Sequence, residues 1–494
     1  MPDPLSAHSS RPSSASKWAG ARVLVLNWRD VDHPQAGGAE QYMHQISRRW
    51  LDEGVDVSWL AGRGAAQAPE ALIDGIKIIR TGGPLSLYPR AAWKLLNSRD
   101  DFDAIIDCQN GIPFFSPLFV RSNMPIVQVV HHVHQDQFST RFSRPLAAVG
   151  RWLEGTAARH VYGSRATVAV SPSTRHDLRR RLGFPGPIFV VPNGTIDLPT
   201  AVGPRDPDPT IAVVTRLVPH KRVDLLLGEV AAVAQRIPRL RVDIVGDGPE
   251  RLRLQQLVVD LTLQSTVTFH GYQPNEVRDG FLRRSWLTTS TSAAEGWGCS
   301  VIEAAAWGVP CVALEVAGIR DSVLDGQTGW LVNSTRRFGE ALLAALTELA
   351  DEQRAQRFSA ACRAWARSFT WDRSAELLAV VLLGERGAMR RHRTVADRRG
   401  ARSDIGTFAR FATPMDIDVR SALRATDEVV EQGDVVSVVL NGCDEFDAAA
   451  VMRRIGVFDA ELRLVFRHLL TGPAGVPLPS TDEDPLEISA AGIG

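Results

Sequence analysis

The stretch Thr289-Ser-Thr-Ser-Ala-Ala-Glu295-Gly-Trp-Gly-Cys-Ser-Val-Ile-Glu303-Ala-Ala-Ala-Trp-Gly-Val-Pro310 decides how this chain is read. Two carboxylates, Glu295 and Glu303, stand eight positions apart, with Gly296 and Gly298 between them. Glycines this close together let backbone N–H groups approach a ligand with no Cβ in the way. Ser300 is a residue type that starts helices, so the sequence predicts a helix from about residue 300 to 307, stopped by Gly308-Val-Pro310. The free N–H groups and partial positive charge of such a helix start suit a diphosphate. Ser300 with Glu303 is also a capping box, and a capping box needs no further function. The flanking sequence has to choose.

Upstream, Thr215-Arg216-Leu-Val-Pro-His-Lys221-Arg222 follows the strand-like run Ile211–Thr215 and precedes a helix expected around 223–236. Cations just before a helix start oppose its dipole, and a bound anion relieves the repulsion. A solvated charge cluster is the plainer reading of most Lys-Arg pairs. Here Lys17, Lys77, Lys94 and Lys221 are the only lysines among 56 basic residues, so Lys221 is hard to treat as filler. Near the start of the chain, Gly37-Gly38 lies between the apolar run Arg22–Asn27 and an amphipathic helix with Met43, Ile46 and Trp50 at helical spacing. Paired glycines at that turn admit a phosphate or an acceptor, or make an ordinary turn. A third cluster, His131-His-Val-His134, ends the apolar run Ile126–Val130. Alternation along a strand sets His132 and His134 on one face and His131 on the other.

Further short apolar runs occur at 55–60, 76–79, 104–107, 166–170 and 188–191, and again at 242–245, 267–269 and 312–314. Strands of this kind alternating with helical segments imply doubly wound parallel sheets. The pattern breaks at Leu198–Pro209, where Pro199, Pro204, Pro207 and Pro209 make a linker, and then restarts. The expected organisation is a disordered tail over 1–20, one Rossmann-like domain over 21–200 and a second over 205–368. A closing helix at 369–387, an Arg-rich linker at 388–404, a small α+β module at 405–471 and a disordered tail at 472–494 complete it.

The Glu-x7-Glu spacing, the Arg216/Lys221 run, the Gly37-Gly38 loop, Val168–Ser173, Pro192-Asn193-Gly194, Gly246-Asp-Gly-Pro249, Phe269–Tyr272 and Gly318–Asp321 together resemble the retaining, nucleotide-sugar-dependent glycosyltransferases of family 4. The resemblance covers roughly residues 20 to 385. It implies a GT-B fold, α/β, with two Rossmann-like domains facing a cleft, and transfer of a hexose-type sugar to a lipid, saccharide or small-molecule acceptor. In that family Arg216 and Lys221 would grip the donor diphosphate, with Gly296, Gly298 and Ser300 at the helix start beside it. Glu303 would hold ribose hydroxyls, Glu295 would face the donor sugar, and Gly271 and Tyr272 would meet the base. A histidine at the end of a first-domain strand would face the sugar. One family pattern favours His131 and another His134; His134 is the first choice and His131 stays open. Thr215, Arg222 and Ala317 stand where the family has glycine.

Composition narrows the alternatives. Basic and acidic residues number 56 each, so no general affinity for nucleic acid is implied. Five scattered cysteines without C-x-x-C spacing suggest neither zinc nor a disulfide framework, and a cytoplasmic setting is expected. No apolar run is long enough for a membrane-spanning helix. The histidine cluster has no Asp-x-Asp beside it, Gly246-x-Gly248 lacks the third glycine of a dinucleotide fingerprint, and no cofactor or metal is expected. Trp28, Trp93, Phe114, Phe115 and Phe119 are candidates to dock a lipid-linked acceptor at the inner membrane face, and equally candidates for the core. A phosphorylase would need a pyridoxal lysine, and the one lysine at the cleft is already assigned. A nucleotide-sugar-binding protein whose output is the module at 405–471 is the alternative to an enzyme.

Overall fold

The computed structural model describes residues 18–83, 86–98, 101–195, 199, 203–391, 405–412, 419–424 and 427–466. Most of the two expected tails and most of the expected linker lie outside the described residues. Trp18 does not belong to a tail. It is buried and packs edge-on against Trp50 at 4.8 Å, so the first domain includes residues ahead of 21.

Strands β1 (Arg22–Leu26), β2 (Asp56–Ala61), β3 (Glu70–Ile73), β4 (Ile76–Arg80), β5 (Ala104–Gln109), β6 (Ile126–Val130), β7 (Ala166–Ala169) and β8 (Ile188–Val190) form one sheet in the order β3-β4-β2-β1-β5-β6-β7-β8. Only β3 runs antiparallel to its neighbour. Strands β9 (Thr210–Val214), β10 (Arg241–Val245), β11 (Val267–Gly271), β12 (Leu287–Ser290), β13 (Cys311–Leu314) and β14 (Gly329–Val332) form a second, wholly parallel sheet in the order β11-β10-β9-β12-β13-β14. Interior strands buried on both faces explain the continuous apolar runs. In each sheet the winding reverses once, at β1/β5 and at β9/β12. A doubly wound sheet opens a crevice beyond its strand ends at such a reversal. The Gly37-Gly38 loop leaves β1, the Arg216 loop leaves β9, and the Glu295 loop leaves β12.

Helices cover the sheets by ordinary amphipathic packing. Helix Val223–Ala234 buries Val223, Leu226, Leu227, Val230 and Val233, a stripe with the three- and four-residue repeat of one helix face. Each such side chain contributes about 1.5–3 kcal/mol on burial. Helix Trp371–Arg391 is longer than the expected closing helix and absorbs the start of the expected linker. It returns from the second domain to the first. Trp50 Nε1 donates to the Ala375 carbonyl at 3.1 Å, and the buried pair Arg165–Glu385 closes at 3.3 Å.

The module at the C-terminal end is an antiparallel sheet of β15 (Ile405–Ala412), β16 (Glu428–Gln432), β17 (Val435–Asn441) and β18 (Glu461–Phe466), ordered β16-β17-β15-β18. Helix Glu445–Arg454 packs Ala448 and Met452 against Ala409, Val436 and Val438 of this sheet. Ile405 and Leu464 join the core around the closing helix, which explains why that helix is buried on nearly every side. Asp444 accepts the Val190 N–H at 2.8 Å, satisfying a donor on the open edge of β8. The module is thus seated on the first domain rather than strung from it.

Candidate active site

The turn Pro219–Lys221 and the loop after β12 are stitched together by hydrogen bonds. The Thr291 hydroxyl donates to the carbonyls of Lys221 and Arg222, each at 2.9 Å, and the Ala293 N–H donates to the His220 carbonyl at 2.8 Å. This alignment brings Lys221 Nζ onto Glu295 Oε1, which also accepts the Ser292 hydroxyl at 2.7 Å. The side chains of Lys221 and Glu295 are 18% and 17% exposed, so the pair is sheltered but open to a ligand. Arg222 closes the turn in the left-handed region (φ 50°), the conformation a glycine would supply without strain. Thr215 has no such requirement.

Arg216 is held by its backbone. Gly246 and Gly248 lie so close to Thr215 and Leu217 that an added Cβ would fall 1.9 Å from the Thr215 oxygen and 2.3 Å from the Leu217 oxygen. The Gly-x-Gly-Pro turn is therefore a clamp on the Arg216 loop. Across the cleft, a Cβ at Gly37 would be 3.7 Å from the Arg216 guanidinium, and one at Gly38 would be 3.6 Å from Cys299 Sγ. The Glu40 carboxylate accepts the Gly37 N–H at 2.7 Å.

The helix after Gly298 spans Cys299–Ala306, with Gly298 at its cap. Ser300 is therefore inside the first turn and makes no capping hydrogen bond, a correction to its expected role. The cause is Gly298: a Cβ there would meet the Ser322 hydroxyl at 2.4 Å, so only glycine lets the chain enter this close to Ser322. Glu303 lies one turn along, where burial raises its carboxyl and the Arg278 guanidinium, 3.5 Å away, opposes the rise. Arg278, on helix Asn275–Arg284, had no motif or spacing to mark it. Tyr272 is exposed at the end of β11, after Gly271 in the left-handed region (φ 70°). Burial, with the Glu303 and Glu295 carboxylates, pushes the Cys299 thiol up to about 12, which leaves it a packing group.

The histidines separate as strand alternation requires. The His131 ring is buried edge-on to Tyr42 at 5.2 Å, and burial lowers it to about 3. His134 caps helix Gln135–Arg141 and sets Nδ1 3.3 Å from Glu154. His132, which the sequence reading passed over, stacks on His134 at 3.7 Å, meets Gln137 at 3.0 Å and feels the Glu295 carboxylate. Its neutral form is favoured by burial. The two domains touch at this point through backbone: a Cβ on Gly296 would fall 1.9 Å from the His131 carbonyl oxygen. Asp321 also crosses the cleft to accept the Ser173 N–H at 2.8 Å. Among the described residues, no group of three His, Cys, Asp or Glu is arranged to hold a metal ion.

A model described as Glycosyltransferase Family 4 matches residues 36–197, and one described as Glycosyl transferases group 1 matches residues 197–365. The chain belongs to the family 4 glycosyltransferases. Among similar proteins, a GDP-mannose-dependent alpha-(1-6)-phosphatidylinositol monomannoside mannosyltransferase of Mycolicibacterium smegmatis is 33% identical over 36% of this chain. A D-inositol 3-phosphate glycosyltransferase of Nocardia farcinica is 36% identical over 34% of it. The matched segments span 49% and 39% of these relatives' own lengths. Sucrose-phosphate synthase from Thermosynechococcus elongatus superposes with a TM-score of 0.59 at 18% identity, covering 72% of this chain and 97% of that one. Anabaena HepE, solved with UDP and glucose, gives 0.55 at 18% identity, over 73% and 98%. The fold is GT-B, with an antiparallel sheet added at the C-terminal end. Both family models end before that sheet begins.

Two outcomes follow for the family's cleft. Gly296→Ala should lower turnover about a hundredfold and also lower thermal stability, with nucleotide binding less affected, because the added methyl meets the His131 backbone, holds the domains apart and misplaces the reacting groups. Calorimetry beside steady-state rates checks this. His131 and His132 are held neutral well below the ordinary histidine value, so the unfolded chain binds more protons below about pH 6.5. Stability should therefore fall as pH drops through that value. His131→Phe should flatten the acid limb by up to about 1.4 kcal/mol per pH unit in urea titrations.

Proposed function

We propose that the protein is a retaining glycosyltransferase that moves a hexose-type sugar from a nucleotide-diphosphate sugar to a lipid, saccharide or small-molecule acceptor. The observation that carries the reading is Lys221 in contact with Glu295 beside the start of helix Cys299–Ala306, with Arg216 facing Gly37 across the cleft. A diphosphate entering here meets two cations and a helix N-terminus, which together stabilise the charge that grows as the sugar leaves. It also competes with Glu295 for Lys221, and the freed carboxylate turns to the sugar hydroxyls and the oxocarbenium-like charge at the anomeric carbon. Glu303 accepts hydrogen bonds from the ribose, and Tyr272 and Gly271 lie toward the base.

The anomeric carbon–phosphate oxygen bond breaks, and the acceptor hydroxyl attacks from the same face. Its proton passes to the departing diphosphate oxygen. No protein nucleophile takes part, in keeping with the thiol of Cys299 being held protonated. The neutral His132 ring is suited to accept or donate a hydrogen bond to the sugar, a role first assigned to His131 or His134. Closure at Gly296 excludes water from the ion pair. The positive charge is supplied by the protein, so transfer should persist in EDTA. One relative is named for GDP-mannose and one solved neighbour holds UDP, so the base is left to experiment.

Calorimetry with GDP, UDP, ADP and dTDP in EDTA tests the reading. One nucleotide should bind selectively, and Arg216→Ala/Lys221→Ala should weaken it by about a hundredfold or more, as expected for losing two charge-assisted contacts. Selective binding without transfer to any acceptor would favour a nucleotide-sugar-binding protein, and binding of none would overturn the donor site.

A further inference from the structure

Helix Arg144–Trp152 is packed the wrong way round for a helix in water. Its buried residues are Ala147 and Gly150, the glycine lying against the Phe138 ring, while Leu146, Val149 and Trp152, spaced by three, point outward. Leu146 is 61% and Trp152 57% exposed, and Phe142 just ahead of the helix is exposed too. A bulky apolar stripe left outside while alanine and glycine go inside marks an interaction surface.

Two further exposed apolar side chains sit on elements that share a core with the continuation of this helix. The helix continues through a π-turn, Leu153–Ala157, into Ala158–Tyr162. Ala158 and Tyr162 share a core with Leu87, Ala91 and Leu95 of helix Leu87–Asn97. That second helix leaves Trp93 70% exposed, and Leu118 is exposed on the connection that also packs on this core. Of the candidates for acceptor docking read from sequence, only Trp93 is out. Trp28, Phe114, Phe115 and Phe119 pack in or against the core.

Charge identifies the occupant. Segments 86–98 and 110–153 hold Arg90, Lys94, Arg121, Arg144 and Arg151 against a single acid, Asp136, which is paired with Arg181, in a chain whose 56 basic and 56 acidic residues balance overall. An apolar stripe with cations in excess around it matches the interface of an anionic bilayer, where apolar side chains enter the headgroup boundary and basic ones meet lipid phosphates.

The same segment reaches the cleft. Glu154, in the π-turn, accepts the His134 N–H at 2.6 Å and the Gln135 amide at 2.7 Å, and Gln135 also donates to the Arg151 carbonyl at 3.1 Å. The docking helix and the histidine loop are therefore one fastened unit. We propose that the face formed by Phe142, Leu146, Val149 and Trp152 with Trp93 and Leu118 docks the first domain on an anionic lipid surface. This inference deepens the acceptor side of the proposed function by presenting the histidine end of the cleft to a lipid-borne acceptor, and it is independent of the donor site.

Flotation of the full-length protein with phosphatidylcholine vesicles, and with phosphatidylcholine–phosphatidylglycerol vesicles, tests it. The protein should float only with the anionic vesicles and release in high salt. Arg90→Glu/Arg144→Glu should weaken binding about fivefold per cation removed, and Leu146→Glu/Trp152→Glu should abolish it, with nucleotide binding unchanged in both. No binding to either vesicle, or undiminished binding by Leu146→Glu/Trp152→Glu, overturns the proposal without touching the donor reading. So does a wild-type dimer that this variant dissociates, which would make the face a self-interface.

Discussion

Lys221 and Glu295 are a cation and a carboxylate in contact, each less than a fifth exposed, at the point where two strands of one sheet diverge. The contact exists because β9 and β12 are neighbours across the reversal in winding, and because Thr291 and Ala293 fasten one loop to the other. Removing either partner would leave the other sheltered and unpaired, which costs more than an exposed pair is worth. A ligand carrying its own negative charge can make the exchange without that loss. On the proposed reading, the arrangement stores a cation in a neutralised form and gives it up to a diphosphate, which puts Glu295 to use on the sugar in the same event. The remainder of the fold keeps these two side chains in register with the opposite domain.

That register is set by backbone. Gly296 against the His131 carbonyl and Gly37 against Arg216 bring the halves closer than side chains would permit, and Gly318, in the left-handed region, packs against the Glu295–Gly296 backbone from behind. The long helix Trp371–Arg391 ties the two domains from the far side. The added sheet holds that helix down, through Arg373 with Glu445 and Arg463 with Glu376, and grips helix Pro172–Arg180 through Arg175 with Asp444 and Asp447. The N-terminus of that same helix is held by Asp321 of the second domain. Donor loop, histidine loop and added module are thus linked through few elements.

Much of this was readable beforehand because buried parallel strands leave unbroken apolar runs: Ile126–Val130 was placed to the residue, and most others to within one or two. Edge strand β3 was missed because one of its faces is open to water, although Asp74-Gly75, at φ 47° and 84°, carries the type I′ turn that makes its hairpin. Trp18 was lost in a polar stretch. Ser300 misled because capping propensity is local, whereas Gly298 is demanded by a contact with Ser322 far along the chain. Arg278 and His132 matter through partners that only folding brings near. The stripe on helix Arg144–Trp152 has helical spacing in the sequence, but spacing does not say which face points inward.

The account turns on Glu295 and the diphosphate competing for Lys221, and a calorimetric cycle tests that directly. The nucleoside diphosphate, without its sugar, would be titrated into wild type, Glu295→Gln, Lys221→Met and the double variant. Exchange predicts that Glu295→Gln binds it more tightly than wild type, that Lys221→Met binds it more weakly, and that the gain from Glu295→Gln disappears once Lys221 is gone. Equal or weaker binding by Glu295→Gln, or a gain that survives in the double variant, would contradict it.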